Sequence, residues 1–166
     1  YTYDEYGNMA SVTDTAGNIT AYTYNEFGQV TSITDSQSNV TSYEYDSNGN
    51  QTAIIDSTGA KTQYQHDLRG NIIQITYTNG QKTQMAYDQF NNMISVTDPS
   101  GATTRFTFDN AGNITAQMDS SGNTTEYAYD SLNRLIKLID PNGSITQYTY
   151  DAKGNRTSVT DSNLNV

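Results

Sequence analysis

Apolar and polar positions alternate in short runs along this chain. Residues 18–24 and 30–34 carry mostly Thr, Tyr, Ile and Val, which suit a pleated, half-buried surface. Asp, Asn, Ser and Gly stand between such runs. No apolar period of 3.6 is sustained, and Gly and Asn recur too often for helix. The pattern predicts short strands joined by tight turns, and it repeats. The motif Tyr-x-Tyr-Asp or a variant of it begins at Tyr1, Tyr22, Tyr43, Tyr64, Met85, Phe106, Tyr127 and Tyr148. Every step is 21 residues, without insertion or deletion. A drift-free period means that each unit packs on its neighbour in the same way. Residues 1–166 therefore read as one array of eight repeats, the last of them 19 residues long.

With the unit numbered 1 to 21, two positions form aromatic rows. Position 1 carries Tyr1, Tyr22, Tyr43, Tyr64, Phe106, Tyr127 and Tyr148, with Met85 the departure. Position 3 carries Tyr3, Tyr24, Tyr45, Tyr87, Phe108, Tyr129 and Tyr150, with His66 the departure. Two Asp-x-x-Gly segments form the turns. The first is represented by Asp4 and Gly7, Asp46 and Gly49, Asp109 and Gly112, and Asp151 and Gly154. The second is represented by Asp14 and Gly17, Asp56 and Gly59, and Asp119 and Gly122. Asp suits the first corner of a type I turn, where its carboxylate can cap backbone N–H groups. The fourth residue then falls in the left-handed region, which Gly enters freely and Asn tolerates. Asn91 and Asn133 in place of Gly are the substitutions this requires. Asn25 and Tyr77 replace the Asp, and Ser38 and Leu164 replace the second Gly.

Each repeat is thus a β-hairpin, and eight repeats give up to sixteen antiparallel strands. At about 4.8 Å per strand the sheet would be roughly 75 Å wide. Open twisted sheets seldom pass about ten strands without curling. The expected fold is all-β, with the hairpins coiling into a continuous antiparallel spiral: a shell, a tube or a filament wall. Strand alternation puts Thr at position 20 on one face with the two aromatic positions. Position 12, the best apolar position of the other strand, stands beside mixed residues at position 10, and the register across the turn leaves inside and outside unassigned. Aromatic rows stacked from repeat to repeat would supply most of the cohesion.

Composition changes this picture little. Leu, Ile, Val and Phe together number 27 of 166 and the net charge is -10, a balance that by itself suggests disorder. The 14 Tyr and only 2 Pro argue against it. Absence of Cys excludes disulfides and thiolate metal sites. The acidic balance disfavours nucleic acid, and no apolar run is long enough for a membrane-spanning helix. The chain opens mid-pattern, which suggests a segment of something longer.

The unit Tyr-x-Tyr-Asp-x-x-Gly-Asn-x-x-x-Val/Ile-Thr-Asp-x-x-Gly-Asn-x-Thr resembles the YD repeat, also called the RHS repeat. Residues 43–50, Tyr-Glu-Tyr-Asp-Ser-Asn-Gly-Asn, and 148–155, Tyr-Thr-Tyr-Asp-Ala-Lys-Gly-Asn, come close to the family pattern. The family includes bacterial Rhs polymorphic toxins, the B and C components of insecticidal toxin complexes, wall-associated bacterial proteins and animal teneurins. The resemblance implies a strand spiral that forms a hollow shell, enclosing a C-terminal effector in toxins and supporting cell-surface contacts in teneurins. The sequence departs from complete members in its few repeats and in lacking a self-cleavage region, a plug domain and a toxin tail. Asp98-Pro99 and Asp140-Pro141 fall at ordinary second-turn positions and read as turns, not cleavage sites.

Candidate chemistry is sparse. His66, the only His, is an aromatic replacement on a strand. All 14 Asp fall at positions 4 and 14, leaving only Glu5, Glu26, Glu44 and Glu126 among the 18 acids. A paired-carboxylate site would be unique in the chain, not copied along it. No cofactor is expected; calcium held by stacked Asp turns is the alternative, although the spacing of calcium-binding β-helices is missing. Seven sequons, at Asn18, Asn39, Asn50, Asn113, Asn123, Asn142 and Asn155, follow from the repeat itself. The expectation is a non-enzymatic scaffold, secreted or at a bacterial surface, that encapsulates a toxin or effector. The alternative is an extracellular fibre or adhesin, with surface glycan as a possible ligand. In either case the partners include neighbouring repeats or further copies, joined through open strand edges.

Overall fold

A computed structural model describes residues 1–163, so Leu164, one expected departure from the left-handed Gly, lies outside the described residues. Two compact units divide the chain. The first, Tyr1–Lys82, contains β1 (Thr2–Tyr3), β2 (Met9–Thr13), β3 (Ile19–Tyr24), β4 (Val30–Thr34), β5 (Val40–Tyr45), β6 (Gln51–Ile55), β7 (Lys61–His66) and β8 (Ile72–Thr76). Its last residue opens β9 (Lys82–Tyr87). The second unit continues with β10 (Met93–Thr97), β11 (Thr103–Phe108), β12 (Ile114–Met118), β13 (Thr124–Tyr129), β14 (Leu135–Ile139), β15 (Ile145–Tyr150) and β16 (Arg156–Thr160). Among the described residues there is no helix.

Within each unit every strand pairs antiparallel with the next in the chain, in a single layer. Two kinds of hairpin alternate. At the second turn the register is unbroken: Ser32 faces Ser42, Ile33 faces Thr41 and Thr34 faces Val40. At the first turn it slips by one residue. Tyr24 faces Val30 but Thr23 faces Ser32, leaving Thr31 as a bulge. The same slip occurs in all eight first-turn hairpins, always at position 10. A bulge puts two residues opposite one and locally increases the strand twist.

The turns take the expected form. Gly49 N–H donates to the Asp46 carbonyl at 3.1 Å, and Asp46 N–H donates to the Asn50 carbonyl at 2.9 Å. The fourth residue is left-handed in every turn among the described residues. Every glycine in the chain sits there, joined by Asn91 (φ 67), Asn133 (φ 60) and Ser38 (φ 65). All three substitutions therefore keep the backbone of the motif.

The bulge sets which positions share a face. Position 12 meets position 1 on one neighbour and position 20 on the other, as Ile33 meets Tyr22 and Thr41. It joins the aromatic face as alternation requires. Position 9 joins that face as well, because the extra residue at position 10 shifts it into register with position 3. One side thus presents Tyr22, Tyr24, Val30, Ile33, Tyr43 and Tyr45, all half-buried, while Thr23 and Glu44 on the other are exposed. There is no dry core. Ala53, between Glu44 and Gln63 in register, is the only buried apolar residue among those described.

Candidate functional site

The chemistry of each repeat is concentrated in its turns. Asp46 Oδ1 accepts from the backbone N–H groups of Asn48 and Asn50, both at 2.9 Å, and Oδ2 accepts from Asn50 Nδ2 at 3.0 Å. One carboxylate thereby satisfies three donors, which explains why the motif places Asn four residues after Asp. These bonds stabilise the ionised form. Eleven Asp carboxyls lie below their ordinary 3.8, and at Asp46 the Asn50 side chain is the largest cause, with His66 a small one. Where the motif departs, a substitute appears. Asn25 Oδ1 accepts from Phe27 and Gln29 N–H, both at 3.0 Å. At Tyr77 the two backbone bonds close the turn, and Asn79 Oδ1 takes the Gln81 N–H.

Six of the seven sequon amides are engaged in this way. Asn18, Asn39, Asn50, Asn113, Asn123 and Asn155 each donate Nδ2 to the preceding turn Asp. Their recurrence follows from turn closure. Asn142 contributes only its backbone N–H, to Asp140.

Successive first turns also touch. Gln29 Nε2 donates to the Gly49 carbonyl at 2.8 Å, and Asn113 Nδ2 to Asn133 Oδ1 at 2.9 Å. Arg134 does most. Its Nε donates to Asp130 Oδ2 at 2.7 Å and its Nη1 to the Asp151 carbonyl at 3.2 Å, and its guanidinium lies 4.8 Å from the Tyr150 ring centroid. Position 8 thus closes its own turn and reaches the next.

The aromatic rows divide by position in the array. Tyr1 and Tyr3 are exposed, and Tyr22, Tyr24, Tyr43, Tyr45, Tyr64, Tyr87, Phe106, Phe108, Tyr127, Tyr129, Tyr148 and Tyr150 are half-buried. Position 3 has a specific polar role. Tyr24 Oη donates to the Met9 carbonyl at 2.9 Å, Tyr45 Oη to Val30 at 2.8 Å, and Tyr150 Oη to Leu135 at 2.8 Å. Regular pairing of β2 with β3 ends at Ser11 and Ala21, short of Met9. The phenol therefore serves a carbonyl that the bulge carries beyond the strand ladder. Desolvation raises the Tyr129 phenol above its ordinary 10.0, with Tyr127 and Asp109 adding to the effect.

No group of three or more His, Asp or Glu that could hold a metal occurs among the described residues. His66 sits half-buried on β7 opposite Ile72. The Lys61–Glu44 ion pair, at 2.8 Å, lies on the polar face near the surface. Sequence reasoning missed the apolar side chains at the tips of the first turns: Tyr6, Phe27, Phe90 and Leu132 at position 6 and Leu68 at position 5, all strongly exposed. Position 6 also holds Asn48, Ala111 and Lys153, so no pattern marks it.

Comparison with known proteins places this arrangement. The Teneurin YD-shell model matches residues 31–165, and the RHS Repeat model matches residues 3–40. The chain belongs to the YD-shell family. No curated protein sequence matches it significantly. Among solved structures, this YD-shell chain is similar to the TcdB2-TccC3-Cdc42 crystal structure, with a TM-score of 0.73 at 18% identity over 87% of its length. TcdB2-TccC3 without its hypervariable C-terminal region gives 0.72 at 18% over 87%. The Photorhabdus luminescens Tc holotoxin pore gives 0.52 at 15% over 96%. At these identities the likeness is one of fold. The YD-shell chain spans 9% of the first two structures' chains and 13% of the third. Family and fold alike are those of a structural shell repeat. No helix among the described residues is long and apolar enough to cross a membrane.

Proposed function

We propose that this array is a segment of non-enzymatic wall, from a large secreted or surface bacterial protein, that encloses a toxin or effector polypeptide. The observation that supports this most is the unequal pair of faces. In a single layer, the side bearing rows of half-buried Tyr with Ile and Val gains most from being turned away from bulk water. The polar side bears exposed Thr, Gln and Glu. Membership of the YD-shell family and the fold likeness to toxin-complex structures support the same role. The outer edges of β1 and β16 are where neighbouring repeats or another copy would add. Electron microscopy of the protein carrying this array tests the reading. Closed hollow particles of fixed size with density inside are expected. Long uniform filaments would overturn it.

A filament is the second reading, as an extracellular fibre or adhesin, with glycan as its possible ligand. The observation in its favour is the exact 21-residue phase across all eight repeats, matched by one register slip repeated at every first turn. Such uniformity is what indefinite propagation requires.

A further inference from the structure

Six of the seven sequons are consumed by the fold. At Asn18, Asn39, Asn50, Asn113, Asn123 and Asn155 the side-chain nitrogen donates to the Asp that opens its turn, at distances between 2.7 and 3.0 Å. In each of these the hydroxyl residue two positions on lies inside a strand: Thr20 in β3, Thr41 in β5, Thr52 in β6, Thr115 in β12, Thr125 in β13 and Thr157 in β16. A transferase has to seat the amide and the hydroxyl of a sequon together. Here the amide is clasped by a carboxylate and the hydroxyl residue is fixed in the strand ladder.

Asn142 differs on both counts. It stands at position 16, on the tip of the second turn, and its own turn is closed without it. Ser144 occupies position 18, where the motif has Asn, and donates its backbone N–H to Asp140 Oδ1 at 2.8 Å. Asn142 gives the same oxygen its backbone N–H at 2.9 Å, and its side-chain amide has no hydrogen-bond partner among the described residues. Asn142, Gly143 and Ser144 all lie between the end of β14 at Ile139 and the start of β15 at Ile145. Pro141, Asn142 and Gly143 are exposed. Positions 15 and 16 carry only Ala, Pro or polar side chains throughout the array, whereas first-turn tips carry residues such as Tyr6 and Phe27. A bulky hydrophilic group on a second-turn tip would displace no apolar contact.

We propose that Asn142 is a modification site of the folded protein, the one sequon that can accept an N-linked sugar without local unfolding. The donor is a nucleoside-diphosphate hexose. Asn142 Nδ2 bonds to the anomeric carbon as the bond from that carbon to the diphosphate breaks. The nucleoside diphosphate leaves, and Nδ2 gives up one proton to a base of the transferase. The proposal does not depend on whether the wall closes into a shell or extends as a fibre.

The test is glucosylation of the folded chain by a soluble N-glycosyltransferase with UDP-glucose, read site by site by peptide mass spectrometry. Peptides from a prior proteolytic digest serve as the unfolded reference. Each sequon is then compared with itself, and the enzyme's preference for local sequence cancels. At Asn142 the folded and unfolded rates should agree within about twofold, because no bond has to open. At the other six the folded rate should fall about tenfold or more, because a hydrogen bond to a charged acceptor must break first. Ser144→Ala should abolish transfer to Asn142 in both states; the turn uses only the backbone N–H of this residue, so the variant folds. A folded rate at Asn142 suppressed like the rest, or a rate at any of the six that survives folding, would overturn the proposal. So would transfer that persists in Ser144→Ala, or no transfer to Asn142 in either state.

Discussion

At the scale of the residue, the position 3 hydroxyl is the clearest case of one atom serving the repeat. Tyr45 Oη reaches the Val30 carbonyl fifteen residues earlier, in the preceding repeat. A half-buried carbonyl without a partner is costly, and a single neutral hydrogen bond contributes about 1 kcal/mol net. Tyr45→Phe should therefore lower stability by about 1 kcal/mol in chemical denaturation, with the aromatic packing kept. The chain contains its own reverse case. Phe108 occupies the same position, half-buried, and has no hydroxyl to donate. Phe108→Tyr should move stability the other way by a similar amount. Opposite signs at equivalent positions are hard to obtain from general damage. No change in either variant would mean that water serves these carbonyls equally well.

At the scale of the element, the turns were legible in the sequence and the bulges were not. A left-handed corner admits few residue types, so Asp4 with Gly7, or Asp88 with Asn91, declares its backbone in its composition. Position 10 carries Ala10, Thr31, Ile73 and Ile136 among others, none of which is demanded by a bulge. The slip is set by how the first turn closes, and with it go the place of position 9 on the aromatic face and the acceptor for the position 3 phenol. The Asp clasps carry a pH dependence whose sign follows from the lowered carboxyls. Their folded values lie below the ordinary 3.8, so they contribute stability above that pH, which is lost as the pH falls through the folded values. The melting temperature should be flat from neutrality to about pH 5 and fall steeply below about pH 4, as many equivalent turns take up protons together. A melting temperature that stays level down to about pH 2 would show that the backbone bonds suffice without the carboxylates, as they nearly do at Tyr77.

At the scale of the whole molecule, what matters is that within each unit the sheet is a single layer. Ala53 is the only buried apolar residue among those described. Stability must then come from each repeat and its contact with the next, not from a shared interior. Removal of one whole repeat should accordingly be tolerated. Excising residues 106–126 joins position 21 of one repeat to position 1 of another and restores every pairing, every bulge and the Tyr-to-carbonyl step between consecutive repeats. The shortened chain should fold with unchanged β-sheet signal per residue. Its denaturant dependence should fall by about one eighth, since that slope follows the surface exposed on unfolding. Excision of ten residues instead, one strand with one turn, would set an aromatic strand where a position 12 strand belongs and mismatch the faces. That variant should lose its cooperative transition. If both deletions behaved alike, the 21-residue phase would not be the unit of folding. The uniform register along the array would then need a cause outside nearest-neighbour packing.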